Sequence, residues 1–145
     1  MSDGSKEELE DKLRNLIIES RILEGTASEI QARIGVVDAA AREYRVSELT
    51  LAGLKEVGKG SEILVPIGGG SYLKASIADV ENVVTGIGAG VTLEKRLPEA
   101  ESYVKTRIEE LKKVRSALEE QFSQVMGRMQ AVRREMEQVI AKLRM

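Results

Sequence analysis

From Leu9 onward an apolar side chain returns at every seventh position: Leu9, Leu16, Leu23, Ile30, Val37, Tyr44 and Leu51. A second, weaker series runs through Leu13, Ser20, Ala27, Ile34, Ala41 and Glu48. Spacings that alternate between four and three over about five heptads predict a helix with one narrow apolar face, the seam of a left-handed coiled coil. Charged residues on the other faces argue against a helix buried all round. Ser5 and Glu8 read as an S-x-x-E capping box, which places the helix start near Ser5. The same pattern returns after Pro98, through Val104, Leu111, Leu118, Val125, Val132 and Val139, with Ile108, Arg115, Phe122, Met129, Met136 and Leu143 in the second series. Arg115 is the one polar member of this stronger seam. Pro98 suits a first helical turn, and Glu99 and Glu101 suit the positive end of the helix dipole.

Between the two helical stretches the period changes to that of strands. Nine of the 13 glycines lie between Gly53 and Gly90. They separate short β-type runs at Glu62–Ile67, Ser71–Ile77, Asn82–Ile87 and Val91–Lys95. Gly68-Gly69-Gly70 and Gly88-Ala89-Gly90 read as the turns of two hairpins. Pro66 lacks a backbone N–H, which predicts an edge or a bulge in the first run. Asp79 and Asn82 suit the connection between the hairpins. Four short, glycine-rich strands bury little and leave their edges unpaired. The expectation is that they pair with the same region of other subunits and form an oligomerisation hub; the alternative is a small sheet folded back on its own helices.

The two helices are of matching length, about 40 to 47 residues or roughly 60–70 Å at 1.5 Å per residue. An antiparallel pairing brings both termini to one far end. Charge agrees: residues 1–20 carry three basic and six acidic side chains, and residues 125–145 five basic and two acidic. The expected fold is mainly α with a small β portion: a long antiparallel two-helix coiled coil with two β-hairpins between the helices. Its expected modules are an N-terminal helix over 1–50, a double hairpin over 51–97 and a C-terminal helix over 98–145.

Composition narrows the function. Aromatic residues are 3% of the 145, against 42% hydrophobic and 32% charged, which disfavours an ordinary globule. Cys and His are both absent, which removes disulfides, thiolate sites, cysteine nucleophiles and histidine bases. A net charge of −2 is unlike a nucleic-acid binder, and Arg133-Arg134 is a weak patch. No apolar run reaches membrane-spanning length, and the polar, acidic start MSDGSKEELEDK is unlike a signal peptide, so a soluble cytoplasmic protein is expected. Gly86-Ile87-Gly88-Ala89-Gly90 lacks the spacing of a phosphate loop and precedes a strand. Glu109-Glu110 and Glu119-Glu120 read as solvated helix faces. No catalytic constellation, metal set or cofactor site is legible, so the chain is read as a non-enzyme.

Two features of the helices remain. Gly25 and Gly35 mark either a close helix–helix approach or a flexible point. Four of the five Met (Met126, Met129, Met136 and Met145) fall in the last twenty residues, and Ile17, Ile18, Ile22, Met126 and Ile140 lie beside the seam. That apolar surplus suits either promiscuous binding or one third helix or specific partner.

The central segment carries a resemblance. EILVPIGGGSYLKASI (Glu62–Ile77) followed by ENVVTGIGAGVTLEKRLPEA (Glu81–Ala100) resembles the double hairpin of prefoldin alpha subunits, especially archaeal ones. The likeness extends to the order helix, two hairpins, helix. It implies a hexamer of two alpha and four beta subunits, with hairpins assembled into an intersubunit β-barrel. It implies an ATP-independent holdase that takes unfolded polypeptides at the coiled-coil tips and passes them to a group II chaperonin, with no cofactor, nucleic acid or membrane involved. By position the implied client-binding tip residues are Leu9, Leu13, Leu16, Ile17, Met129, Met136, Val139, Ile140 and Leu143. The implied hub residues are Ile63, Val65, Ile67, Tyr72, Leu73, Ile77, Val83, Val84, Ile87, Val91 and Leu93. The competing expectation is a structural coiled-coil scaffold with one dedicated protein partner.

Overall fold

The first helix starts earlier than the capping box at Ser5 predicts. In this computed structural model, which describes residues 2–145, helix α1 spans Asp3–Val57. Ser2 caps it: the Ser5 N–H donates to Ser2 Oγ at 3.2 Å, and the Lys6 N–H to the Ser2 carbonyl at 3.0 Å. A serine three residues before a free N–H satisfies an orphan donor wherever it sits, and Ser2 does so one helical turn ahead of Ser5. The helix also ends later than position 50. Leu51 continues the seam, and Leu54, Lys55 and Glu56 are good helix formers. Gly58 stops it with φ of +76°, its N–H reaching the Leu54 carbonyl at 3.4 Å, the left-handed ending that glycine permits.

Two antiparallel hairpins follow. Strand β1 (Glu62–Gly68) pairs with β2 (Ser71–Ser76), and β3 (Asn82–Gly88) with β4 (Val91–Arg96), as two separate two-stranded sheets. The hairpins repeat one device. In each, the register shifts by one residue just before the turn, between Pro66 and Gly68 and between Gly86 and Gly88. The turn residues that follow have positive φ, Gly69 and Gly70 at 58° and 76°, Ala89 and Gly90 at 53° and 75°. Both central angles positive is the type I′ geometry whose twist matches flanking strands. Each hairpin is also fastened at its base. Ile77 closes the first by donating to the Ser61 carbonyl at 3.0 Å, and the Leu97 N–H closes the second onto the Glu81 carbonyl at 2.8 Å. Between the hairpins, Asp79 Oδ1 accepts from the Glu81 and Asn82 N–H groups at 2.8 and 3.3 Å. Those bonds, the Glu81 one foremost, hold the Asp79 carboxyl below its ordinary pKa.

Helix α2 spans Leu97–Leu143, with Pro98 and Glu99 in its first turn as expected. The chain forms two compact units. One joins the residues up to Asp38 with Lys113–Met145; the other is Ala39–Lys112 and contains both hairpins. In the first, Glu19 meets Arg128 and Asp38 meets Arg115. In the second, Tyr44 meets Arg107 and Lys55 meets Glu101. Within each unit the partner number falls as the α1 number rises, so the helices pair antiparallel.

Every heptad position of both series is buried or half-buried, down to Val132 at 1% exposure. Arg115, the polar member, is satisfied across the seam: its Nε and a terminal nitrogen donate to the two Asp38 carboxylate oxygens at 2.7 and 3.3 Å, and it also meets Glu119. A forked guanidinium on a planar carboxylate joins the helices there, where most other heptad positions use apolar packing. Gly25 and Gly35 are not sites of close helix approach, since a Cβ added at either would have nothing within 4 Å.

Candidate functional site

Six of the nine expected tip residues (Leu9, Leu13, Leu16, Met136, Val139 and Leu143) come together in one cluster, which Ile17, Met129 and Ile140 do not join, and the closed seam hides part of them. Leu16, Val132 and Val139 form a buried cluster, with Leu9, Leu13, Leu23, Met136 and Leu143 packed around it. Antiparallel heptads bring residues from the two ends of the chain into this one cluster because both seams point inward. Of the expected tip residues, Leu16 and Val139 are therefore buried, while Leu9, Leu13, Ile17, Met129, Met136, Ile140 and Leu143 are half-buried and present an edge to solvent.

Beside them lies a flank that the tip set omits. Ile18 and Ile22 on α1 and Met126 on α2 are exposed, Ile22 at 63%. Further along α1, Val36, Val46 and Leu49 are exposed as well. Positions 18, 22, 25, 29, 32 and 36 repeat the four-three alternation of the seam on the opposite side of the helix, with Ile, Ile, Gly, Glu, Ala and Val as occupants. That second stripe was readable in the sequence from its own spacing. Helix α1 thus carries apolar residues on two opposed faces. Around Val36, exposed at 70%, a shallow apolar depression is lined by Ala32, Val37, Val114 and Leu118.

Charge pins the flank from the side. Arg128 donates through Nε and a terminal nitrogen to the two Glu19 carboxylate oxygens at 2.6 and 3.0 Å, and lies 3.6 Å from Glu135. The guanidinium holds the Glu19 carboxyl below its ordinary pKa, and Glu19 in turn raises that of Arg128.

The hairpins are the second site. Ile63, Val65, Ile67, Tyr72, Leu73, Val84, Ile87, Val91 and Leu93 are all exposed; only Ile77 and Val83 of the expected hub residues are half-buried. Leu64, absent from the expected set, is exposed too. Each sheet has two strands and hence two open edges, so backbone donors and apolar faces are presented together. Within the same unit, a cavity of about 270 Å³ lies between Val46 and Thr50 of α1, Val83–Gly86 of β3, and Tyr103 of α2. Lys95 sits over the Tyr103 ring at 4.3 Å. Among the described residues no helix is long and apolar enough to cross a membrane.

Comparison with known proteins accords with this layout. A family profile described as "Prefoldin subunit" matches residues 23–142. The chain is 31% identical to prefoldin subunit alpha of Methanopyrus kandleri over 118 residues, covering 81% of this chain and 75% of that one. It is 32% identical to prefoldin subunit alpha of Methanococcoides burtonii, covering 91% and 93%. A chain of filamentous PFD from Methanocaldococcus jannaschii, solved by cryo-EM, superposes with a TM-score of 0.66 at 27% identity, covering 77% of this chain and 93% of that one. Long helices around two unpaired hairpins, and a sequence match that runs through all of them, lead to one assignment: the chain belongs to the prefoldin family of chaperone subunits, and within it to the alpha type.

Proposed function

We propose that the chain is the alpha subunit of a cytoplasmic holdase that captures unfolded polypeptides at its coiled-coil tips without nucleotide and transfers them to a group II chaperonin. The reading places it in a hexamer of two alpha and four beta subunits. In it, residues 51–97 serve as hub, and 1–50 and 98–145 as the helices of one arm. The observations that carry the proposal are an apolar, methionine-bearing tip and, separately, hairpins whose apolar faces and edges have no partner among the described residues.

The chemistry follows from those two features. An unfolded chain offers scattered apolar side chains, and a tip meets them with half-buried Leu9, Leu13, Ile17, Met129, Met136, Ile140 and Leu143 together with exposed Ile18, Ile22 and Met126. Met side chains adapt to varied shapes. Each contact is weak, and several arms on one hub raise the effective concentration of the rest. Leu16 and Val139 join only where the tip unwinds.

The test mixes the chain with a beta-type subunit and follows aggregation of chemically unfolded proteins without nucleotide. Suppression is expected, together with its loss on removing residues 1–16 and 129–145. Suppression that survives the truncation while the hexamer persists overturns the tip assignment. A single stoichiometric ligand with no general suppression identifies the scaffold alternative.

A further inference from the structure

The two hairpins expose four strand edges, and the four are not alike. An antiparallel ladder alternates residues that bond across the pair with residues whose N–H and C=O point to the open edge. The bond from the Ile77 N–H to the Ser61 carbonyl fixes that alternation in the first hairpin, and the bond from the Leu97 N–H to the Glu81 carbonyl fixes it in the second. Glu62, Leu64 and Pro66 therefore face the open edge of β1, and Tyr72, Lys74 and Ser76 that of β2. Asn82, Val84 and Gly86 face the edge of β3, and Thr92, Glu94 and Arg96 that of β4.

Two of these edges are poor templates for a further strand. On β1 the third outward position is Pro66, which has no N–H to donate. On β3, Val83, Val84, Thr85 and Gly86 all line the cavity of about 270 Å³ shared with α1 and Tyr103. Four consecutive residues alternate between the two faces, so it is the edge of β3 that looks onto the chain's own helices. The edges of β2 and β4 keep a full set of donors and acceptors, and all six side chains there are exposed. Among the described residues none of Lys74, Glu94 and Arg96 forms an ion pair.

Those two edges are complementary. Laid antiparallel with Lys74 opposite Glu94, they set Tyr72 opposite Arg96 and Ser76 opposite Thr92. The three are favourable cross-strand pairs: an ion pair, a cation beside a ring, and two hydroxyls. Each is also a hydrogen-bonded pair, so the ladder gains about six main-chain bonds. On the other face Ala75 and Ile77 come beside Leu93 and Val91, so an apolar strip crosses the seam. A slip of two residues sets Lys74 against Arg96 or against Thr92. In the same centred register β2 against itself sets Lys74 on Lys74, and β4 against itself sets Glu94 on Glu94, both repulsive.

We infer that β2 of one copy of this chain adds, antiparallel, to β4 of a second copy, with Lys74 facing Glu94 across the seam. Each copy carries both edges, so the pairing is reciprocal and closes as a two-fold dimer. It rests on the hub reading of residues 51–97 and names the edges that meet there.

The test assembles the full-length chain with a cysteine-free beta-type subunit. The chain itself has no Cys, so Ser76→Cys copies mixed with Thr92→Cys copies before assembly report a single contact. Their Cα atoms would stand about 5.5 Å apart, within disulfide reach. A disulfide-linked dimer containing one copy of each is expected under mild oxidation, and none from either variant alone. Without the beta-type subunit, native mass measurement over a dilution series reads association of the chain with itself. Lys74→Glu and Glu94→Lys are each expected to weaken it about tenfold, and Lys74→Glu/Glu94→Lys to recover it. A hexamer that forms without the mixed disulfide overturns the strand pairing and leaves the hub reading standing. A double variant no better than either single one also overturns the pairing, as does a disulfide from one variant alone. Absence of any assembly, alone or with the beta-type subunit, while the helical signal is intact, sinks the hub reading and the pairing with it.

Discussion

The coiled-coil seam and the hairpins are built from the same residue types and treat them in opposite ways. Val132 in the seam is 1% exposed, whereas Val84 in β3 is 73% exposed. The cause is the backbone. A helix satisfies its own N–H and C=O groups, so one narrow stripe on each of two helices suffices to bury or half-bury every heptad side chain. A two-stranded hairpin satisfies half of its ladder and has no opposing layer, so its apolar faces stay open until something else supplies both. The seam is therefore closed within one chain, while the hairpins keep open edges and exposed apolar faces that the proposed assembly would cover.

Breaking the two regions separately sharpens that division. The largest effect is expected from Leu64→Asp with Val84→Asp, which puts two charges on faces that assembly covers. At about 3 kcal/mol for each uncompensated buried charge, assembly is lost at micromolar concentration, as native mass measurement would show. The helical melt of the unassembled chain should hardly move, since both sites are exposed in it. Val132→Asp is the converse. It leaves one unpaired charge in the tip cluster, costs about 3–5 kcal/mol, and shows as a lower-melting helical transition by circular dichroism while hairpin assembly persists. If either substitution produced the other's outcome, the two regions would not be divided in this way.

Smaller effects probe each region from within. Ala89 holds φ of 53° at a turn position where its counterpart in the first hairpin is Gly69. Asn tolerates the left-handed region better, so Ala89→Asn is expected to stabilise the second hairpin by about 0.5–1 kcal/mol, measured by denaturant titration. The smallest effect is electrostatic. The folded carboxyls of Glu19 and Asp79 lie below their ordinary values, so their contributions are fully present above those values and fade as pH falls through the lowered ones. A modest loss of thermal stability is expected only below the ordinary carboxylate range. Glu19→Gln should remove the tip's share of it and leave that of the hairpin connection. A loss centred near neutral pH would contradict both shifts.

Much of this fold was legible because heptads and alternation are local signals. The seam positions and the four strands follow from periods; the bulge after Pro66 recurs without a proline at Gly86–Gly88, so the positive-φ glycines at 68 and 88 account for it and not the missing proline N–H. The ends of α1 were less legible. A serine at position 2 and one at position 5 are equally good caps, and only the path of the backbone selects between them. The residues at 51–57 have helical propensity with little periodicity, so the glycines that follow drew the expected boundary inward. Of the candidate sites, the expected tip residues could be placed along and beside the seam but their degree of burial could not, since one seam position looks like another until the opposing side chain is in place. Read from the sequence, Ile18 and Ile22 lie beside the seam, whereas the four-three spacing they share with Val36 puts them on the opposite side of the helix, a stripe masked by the stronger seam.

The sequence by itself determined that two long amphipathic helices flank two hairpins, that the hairpins lack partners, and that one tip is rich in Met. These are properties of spacing and composition, carried by neighbours within a few residues. Only the tertiary structure decided how side chains far apart in the chain meet. Arg115 looks like a flaw in the seam until Asp38, 77 residues away, accepts its guanidinium. Gly25 fits either a tight crossing or a soft point until the space beside it proves to be empty. Long-range register, set by the antiparallel packing of the two seams, supplies the partner of Arg115, and the open space decides against a close crossing at Gly25.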